Sequence, residues 1–275
     1  MALKRSLSVM QMKKFWQGRA FQMITSLSLF VLSWYIASTT GLFGRYPPRL
    51  MVLLLPTPLD VARTVWEMAV TGNLARHLGI SLYRVTAGFA LAVCLGVPLG
   101  VAMGRYRTVN GLVEPLIRVF QPIPGVAWVP LAIVWFGLGD KAAIFIITIS
   151  SLFPVLLNTI QGMRDVDGTL ISAALTMGAN SRQIAAKVLL PSLVPYLITG
   201  FRIGMGFAWR VVIAAEMVGV PSGLGYMLSL GRGIGRTDIT IVTMVALGTV
   251  MLLIEHSVFI PMEHKTLNWK KSWGR

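Results

Sequence analysis

Six stretches of this chain each carry about twenty predominantly apolar residues, at roughly 20–40, 80–104, 112–138, 141–162, 187–216 and 239–261. A run of that length, rising 1.5 Å per residue as a helix, matches the ~30 Å hydrocarbon layer of a bilayer. Backbone donors and acceptors in lipid must be satisfied within the segment, so each run is expected to be helical. Composition agrees: 55% of residues are hydrophobic, 13% are charged, and the mean hydropathy is +0.71. A soluble domain of this length is more polar. The reading is an all-α polytopic membrane protein with about six transmembrane helices, forming one membrane domain over 20–262 between tails at 1–19 and 263–275.

The net charge of +15 would suggest nucleic acid in a soluble chain. Here no basic and aromatic patch stands apart from the apolar runs, which excludes that class. Basic residues that flank membrane spans mark cytoplasmic loops instead. With both ends inside, fourteen Lys and Arg fall on inner segments and seven on outer ones, the other four lying within spans. Both tails are therefore expected in the cytoplasm, which an even number of spans allows. Lys4, Arg5, Lys13, Lys14 and Arg19 precede the first run in the outline of a signal peptide. No small-residue cleavage site closes that run, so a retained first span is expected.

Three features within the spans shape the path. Pro122, Pro124 and Pro130 each remove a backbone donor from the third run, predicting a kinked or interrupted segment beside a translocation route. Glu114-Pro115 reads as a helix start, with Glu114 paired to Arg118. In the second run Gly96, Gly100 and Gly104 repeat at four-residue spacing, which suits close helix packing; a hinge at Pro98 is the alternative. The segment 41–75 is not a span. Pro47-Pro48 and Pro56-Thr57-Pro58 punctuate it, and Leu59–Thr71 reads as a short amphipathic helix on the outer surface. The glycine-rich stretch 217–238 is the second outer segment.

Cys94 is the only cysteine, and His77, His256 and His264 are scattered without ligand spacing, so no metal site is expected. No G-x-x-x-x-G-K-[ST] occurs, and Gly231–Gly235 reads as a flexible turn rather than a phosphate loop.

Between the fourth and fifth runs, 165–187 reads as helix, turn, helix, with Gly178 at the break and Asn180 or Ser181 able to cap the second helix. Its small side chains, Ala173, Ala174, Gly178, Ala179, Asn180 and Ser181, together with Arg182, suit docking into a partner's groove. This stretch resembles the EAA loop of permease subunits in ATP-binding-cassette importers. Ala173 and Ala174 match, Gly178 comes at the right gap, and Val188, Leu190 and Pro191 close the pattern. Ser172 stands where the family has Glu. Leu55-Pro56-Thr57-Pro58, Gln121 to Pro130, Trp135 to Gly139 and Gly223-Leu224-Gly225-Tyr226 are similar to the nitrate, taurine and alkanesulfonate branch. Gly125 and Gln121 depart from that branch's Pro and Arg.

The resemblance implies the type I importer permease fold and a bacterial inner-membrane location. It implies that 165–187 is a coupling loop docking two ATPase subunits, and that a second permease copy, as a homodimer, completes the path. A periplasmic or lipid-anchored binding protein would deliver a small anion for alternating access. The chain would be no enzyme and hold no cofactor, since ATP and Mg would sit on the partner ATPase. A secondary transporter or channel is the competing class; it offers no reason for such a loop. An intramembrane enzyme would want clustered His, Asp or Ser at membrane depth.

Charges within the fifth run supply candidate path residues. Arg202, Trp209 and Glu216 fall within about 40° of one another on one helix face. Arg202 and Glu216 are about 21 Å apart along the axis, so each needs another partner. They either tie neighbouring helices together or, with Arg210, line a path for an anion. Pro124 and Trp128, at the expected break, complete the candidate set. Arg84 and Arg118 are expected to snorkel toward headgroups.

Overall fold

A computed structural model of the chain describes residues 19–40, 54–264 and 266. Residues 1–18, Pro47-Pro48 and most of 265–275 lie outside the described residues.

Two long helices form the centre, α3 (Asn73–Arg105) and α6 (Asp140–Arg164). The glycine stripe of α3 lies directly on α6: Gly88 against Ile147, Gly96 against Val155, Gly100 against Thr159 and Gly104 against Met163. Each pair is separated by the same 59 positions (147 − 88 and 163 − 104 alike), so the helices run parallel in one register. A Cβ at Gly88 or Gly100 would come within 2.7 Å of Ile147 Cβ or Thr159 Cβ. Close approach of backbones is what small residues provide where lipid supplies no hydrophobic drive between helices. The helix is continuous through Pro98; packing, not a hinge, accounts for the stripe.

Parallel neighbours require the chain to cross back between them. Asp140 bonds Arg84, so α6 starts level with a point 21 residues (105 − 84), about 31 Å, from the end of α3. The return is made by α4 (Arg107–Phe120), then a 3₁₀ turn (Gly125–Trp128) running into α5 (Val129–Phe136). The two halves meet at 89°, the interruption expected around Pro122 to Pro130. Counted as one span, the bent pair makes six crossings with the five long helices. The start expected at Glu114-Pro115 is corrected: α4 begins at Arg107, straight after a one-residue break at Tyr106. Pro115 sits inside the helix, where Asn110 and Arg118 both bond the Glu114 carboxylate across that turn, at 2.7 and 2.6 Å.

Antiparallel to α6 runs α8, a 39-residue helix over Ser181–Gly219. Gly162 of α6 packs on Tyr196 of α8, and Gly200 and Gly204 of α8 pack on Asn158 and Val155 of α6. Beside α8 lies α10 (Thr237–His264), tied by the Trp209 indole N–H, which donates to the Leu247 carbonyl at 3.0 Å. A π turn interrupts each helix, at Ala185–Leu189 in α8 and Glu255–Phe259 in α10. The first span, α1 (Arg19–Thr39), turns Leu27, Phe30 and Leu32 outward and is held by the Trp34 indole N–H on the Pro56 carbonyl.

Short helices close the two ends. At the end where α6 and α10 begin lies α2 (Pro58–Val70), started by a reciprocal cap between Thr57 and Asp60. Val61, Thr64 and Met68 are its buried face, and Trp66 points out. The outer segment 217–238 holds a helix, α9 (Leu224–Gly233), which takes in Gly231 and Gly233 of the flexible turn expected at Gly231–Gly235. Its glycines are contact points: a Cβ at Gly225 or Gly231 would come within 2.5 Å of the Ile213 carbonyl or 2.8 Å of Thr240 Oγ1. At the opposite end, α7 (Gly168–Thr176) protrudes between α6 and α8.

Candidate functional site

Three constellations stand out: a buried ionic cluster at the α2–α9 end, a cleft at mid-bundle, and the protruding α7.

In the cluster, Arg84 of α3 is 1% exposed. Its guanidinium donates to Glu216 at 2.7 Å, to Asp140 at 2.8 Å, and to the carbonyl and hydroxyl of Ser222 at 2.7 and 2.6 Å. This overturns the snorkelling expected for Arg84: α3 starts at Asn73, so Arg84 lies eleven residues inside the helix (84 − 73), and it is folded inward because α6, α8 and the turn before α9 all present acceptors to it. The same groups capture the start of α9. The backbone N–H groups of Gly223, Leu224 and Gly225 donate in turn to His77 Nδ1, Ser81 Oγ and Glu216, at 3.0, 2.9 and 2.9 Å. Those are orphan donors of a helix N-terminus, satisfied by side chains of other helices. Only glycine fits at 223, where φ is +101° and a Cβ would overlap the Glu216 carboxylate.

The cleft, of about 380 Å³, opens where the bent span meets the middle of α6 and α8. Pro122 and Pro124 at the bend, Phe153 of α6, and Ile203 and Phe207 of α8 line it, with Gln121, Ser150 and Asn158 as its polar members. Gly125 lets the bend approach this closely, since a Cβ there would overlap Ser150 Oγ. Trp128 lies just behind, packed on Phe120 and Phe145, its indole N–H buried without a partner among the described residues.

The charged residues of α8 separate. Trp209 and Glu216 are committed to the bundle interior, on Leu247 and Arg84. Arg202 is paired with Glu255 and, at 3.0 Å, Glu263 of α10. Arg210 is different. It is exposed and comes seven residues after Ile203 and three after Phe207, so it lies on the cleft-lining face of α8. Among the described residues no carboxylate is within ion-pair distance of it.

On α7, Asp167 caps the start by accepting from the Thr169 N–H at 2.8 Å. Gly178, at φ +78°, turns the chain left-handed, and the Ala179 N–H returns to the Ala174 carbonyl at 3.0 Å. Asn180 and Gln183 then cap the start of α8 reciprocally. Ala174 is buried, whereas Ala173, Gly178, Asn180, Ser181 and Arg182 are exposed and Ala179 half-buried. Leu175 and Met177 are exposed too, Met177 at 83%. Sequence reading passed over these two large apolar side chains, although both sit within the 165–187 loop. Below α7, Asp165 accepts from Tyr196 and Gln161, and these bonds hold its carboxyl below the usual carboxylate range.

Six crossings around a parallel helix pair, with a broken crossing beside a cleft and a protruding end helix, define a membrane permease. The chain belongs to the family of binding-protein-dependent transport system inner membrane components, whose pattern matches residues 96–264. It is 45% identical over 204 residues to a protein of Methanocaldococcus jannaschii named as an ABC transporter permease, covering 73% of this chain and 75% of that one. It is 31% identical to the taurine transport system permease protein of Escherichia coli, covering 84% of each. It is also 31% identical to the nitrate import permease protein of Synechococcus elongatus, over 63% of this chain and 66% of that one. The fold is that of type I importer permeases: the MetNI methionine ABC transporter, in inward facing conformations, superposes with a TM-score of 0.55 at 24% identity. That match covers 68% of this chain and 93% of its counterpart.

Proposed function

We propose that this chain, an ABC importer permease, forms the path for a small anion delivered by an external binding protein, driven by ATP hydrolysed on two separate subunits. The observation that carries the reading is the division of the molecule: a mid-bundle cleft beside Arg210, which has no ion-pair partner among the described residues, and a projecting capped helix at one end. A second copy of the chain completes the path. ATP and Mg are held by the motor, and the chain itself carries no cofactor. Closure of the motor on α7 pulls the two copies' ends together and biases the pair toward the outward-facing state.

Support for docking through α7 comes from its outline. Leu175 and Met177 offer apolar anchors beside the small surface of Ala173 and Gly178, as buried interface cores require. Fourteen basic residues on the segments read from the sequence as inner, against seven on the outer ones, support a cytoplasmic position for the α7 end and for both tails. The anion class draws on the relatives named for taurine and nitrate.

The test is Gly178→Val in the reconstituted complex. A β-branched side chain is strained at φ +78°, so α7 should be misplaced while the bundle persists. ATP-driven uptake should fall with membrane insertion unchanged; full uptake in this variant would count against α7 as the coupling element. A secondary transporter would instead take up its substrate without ATP.

A further inference from the structure

The bent span has two sides. One lines the cleft through Pro122 and Pro124; the other, beyond Ile149 and Phe153 of α6, which both spaces share, bounds a groove of about 410 Å³. Its walls include Leu99 of α3, Leu116 and Phe120 of α4, Trp135 of α5, and Leu152 and Leu156 of α6. No charged side chain, amide or hydroxyl lines it. Water seated there would lack the two to four polar partners that hold buried water. Leu116 and Trp135 are 57% and 56% exposed, so the groove opens at the surface of the bundle.

Two free charges stand at one end of this groove. Gly104 packs on Met163, which sets Arg105 level with Arg164 at the α7 end. Helix α6 rises about 36 Å over Asp140–Arg164 (164 − 140 steps of 1.5 Å), slightly more than the ~30 Å hydrocarbon layer, so both arginines lie at headgroup depth. Arg164 is engaged by Asn110 at 3.0 Å. Arg105 and Arg107 flank the break at Tyr106 and are exposed. Among the described residues no carboxylate is within ion-pair distance of either, and the Arg105 guanidinium lies over the Tyr106 ring, 5.9 Å from its centroid. Leu99 is six residues (105 − 99), about 9 Å, deeper than Arg105. Leu156 is eight residues (164 − 156), about 12 Å, deeper than Arg164. Charge at headgroup depth is thus followed, toward the membrane centre, by a purely apolar groove.

We propose that the groove and the arginine pair above it form a site for one anionic phospholipid. The phosphate sits between Arg105 and Arg107, and one acyl chain lies along Leu99, Leu116 and Leu152. The order of head, then hydrocarbon, along the membrane normal is that of a phospholipid, and basic groups at a junction of helices at headgroup depth suit an anionic head. Guanidinium forks match phosphate oxygens, which a choline-capped head offers without net charge. A chain seated there backs the bend against Ile149 and Phe153, opposite the cleft, so the lipid holds the interrupted span in shape. The site lies outside the cleft and does not depend on the cargo.

The test counts bound lipid. The full-length chain in detergent is titrated with dioleoyl phosphatidylglycerol or dioleoyl phosphatidylcholine, and adducts are read by native mass spectrometry. Each Arg near an anionic head contributes about fivefold, the ratio equivalent to ~1 kcal/mol, so the first phosphatidylglycerol should bind about thirtyfold more tightly than phosphatidylcholine. Arg105→Gln with Arg107→Gln should erase that preference, whereas Arg105→Lys with Arg107→Lys, which keeps the charge, should retain most of it. Leu116→Trp fills the groove and should weaken phosphatidylglycerol binding several-fold. All three positions are exposed, so the unfolding midpoints of the lipid-free variants should match the parent. Glycerol phosphate, the head without its chains, should not compete. Equal affinity for the two lipids, a preference that survives the double Gln variant, competition by glycerol phosphate, or indifference to Leu116→Trp each overturns the site. So does a disulfide between two copies of a Cys94→Ser, Leu116→Cys chain oxidised in phosphatidylglycerol nanodiscs, which would place a second copy over the groove. None of these outcomes bears on ATP-driven uptake, so the permease reading stands or falls separately.

Discussion

Replacing Arg84 by Leu should be the most damaging single change in the buried cluster, and the structure gives its size. The guanidinium is 1% exposed and its partner Glu216 carboxylate is fully buried. Losing Arg84 strands that carboxylate in the bundle and removes two donors from Ser222. Breaking a buried pair from one side costs about 3–5 kcal/mol. At about 2–4 °C per kcal/mol for a chain of this size, the unfolding midpoint should drop by roughly 6–20 °C. Asp140 is 56% exposed, so Asp140→Asn should cost about 1 kcal/mol or less. Removing both buried charges, as Arg84→Leu with Glu216→Leu, leaves no orphan charge and should recover much of the loss. The assay is thermal unfolding of the purified chain in detergent, monitored by tryptophan fluorescence, for the parent chain, these three variants and Glu216→Leu alone. Strict additivity in the double variant, or an Asp140→Asn effect equal to that of Arg84→Leu, would refute the claim that the buried pair acts as a unit.

Other consequences are as direct. Gly100→Leu pushes a side chain into Thr159 and should destabilise the α3–α6 pair by about 1–3 kcal/mol, whereas Gly248→Ala, with nothing within 4 Å, should leave the midpoint unchanged; thermal unfolding separates them. Met177→Asp should abolish ATPase co-purification while leaving the unfolding midpoint in place, because the side chain is 83% exposed. Arg202→Gln should loosen α8 from α10 and lower the midpoint, since Glu255 and Glu263 lose their partner; Arg210→Gln, which breaks no ion pair among the described residues, should reduce uptake instead. Hydrogen bonds from the Thr169 hydroxyl and N–H hold the Asp167 carboxyl below its ordinary 3.8. The charged cap therefore contributes fully above that value and fades as pH falls through the lower folded one. Amide exchange in α7, corrected for intrinsic rate, should rise on that acid limb in the native chain and not in Asp167→Asn.

The helical class, the six crossings and the break near Pro122 were legible because each depends on a local quantity. Length of an apolar run, the missing donor of proline and the side-chain volume of glycine are properties of consecutive residues. The helix, turn and helix of 165–187 were legible for the same reason: Asn180, Gly178 and the small residues before them are cap and turn chemistry within a few positions. Helix α9 was not, because Gly223, Gly225, Gly231 and Gly233 argue against a helix by propensity. The first three admit Glu216, Ile213 and Thr240, neighbours that sequence distance conceals. Asn158 and Gln121 left a faint signal, each a polar residue within an apolar run, that gained meaning only when the cleft joined them.

The sequence by itself determined that this chain crosses a membrane about six times, where it breaks, and that 165–187 folds as helix, turn, helix. Those conclusions rest on desolvation of the backbone and on local sterics. Tertiary structure alone decided which charges are structural and which are free. Arg84, Arg202 and Arg210 are the same residue in similar apolar surroundings along the chain. What distinguishes them is whether a carboxylate from a helix 53 to 132 positions away (255 − 202 and 216 − 84) comes within bonding distance. Coulomb attraction at ~3 Å is set by the packing of α3, α6, α8 and α10, and no pattern of neighbouring residues records it.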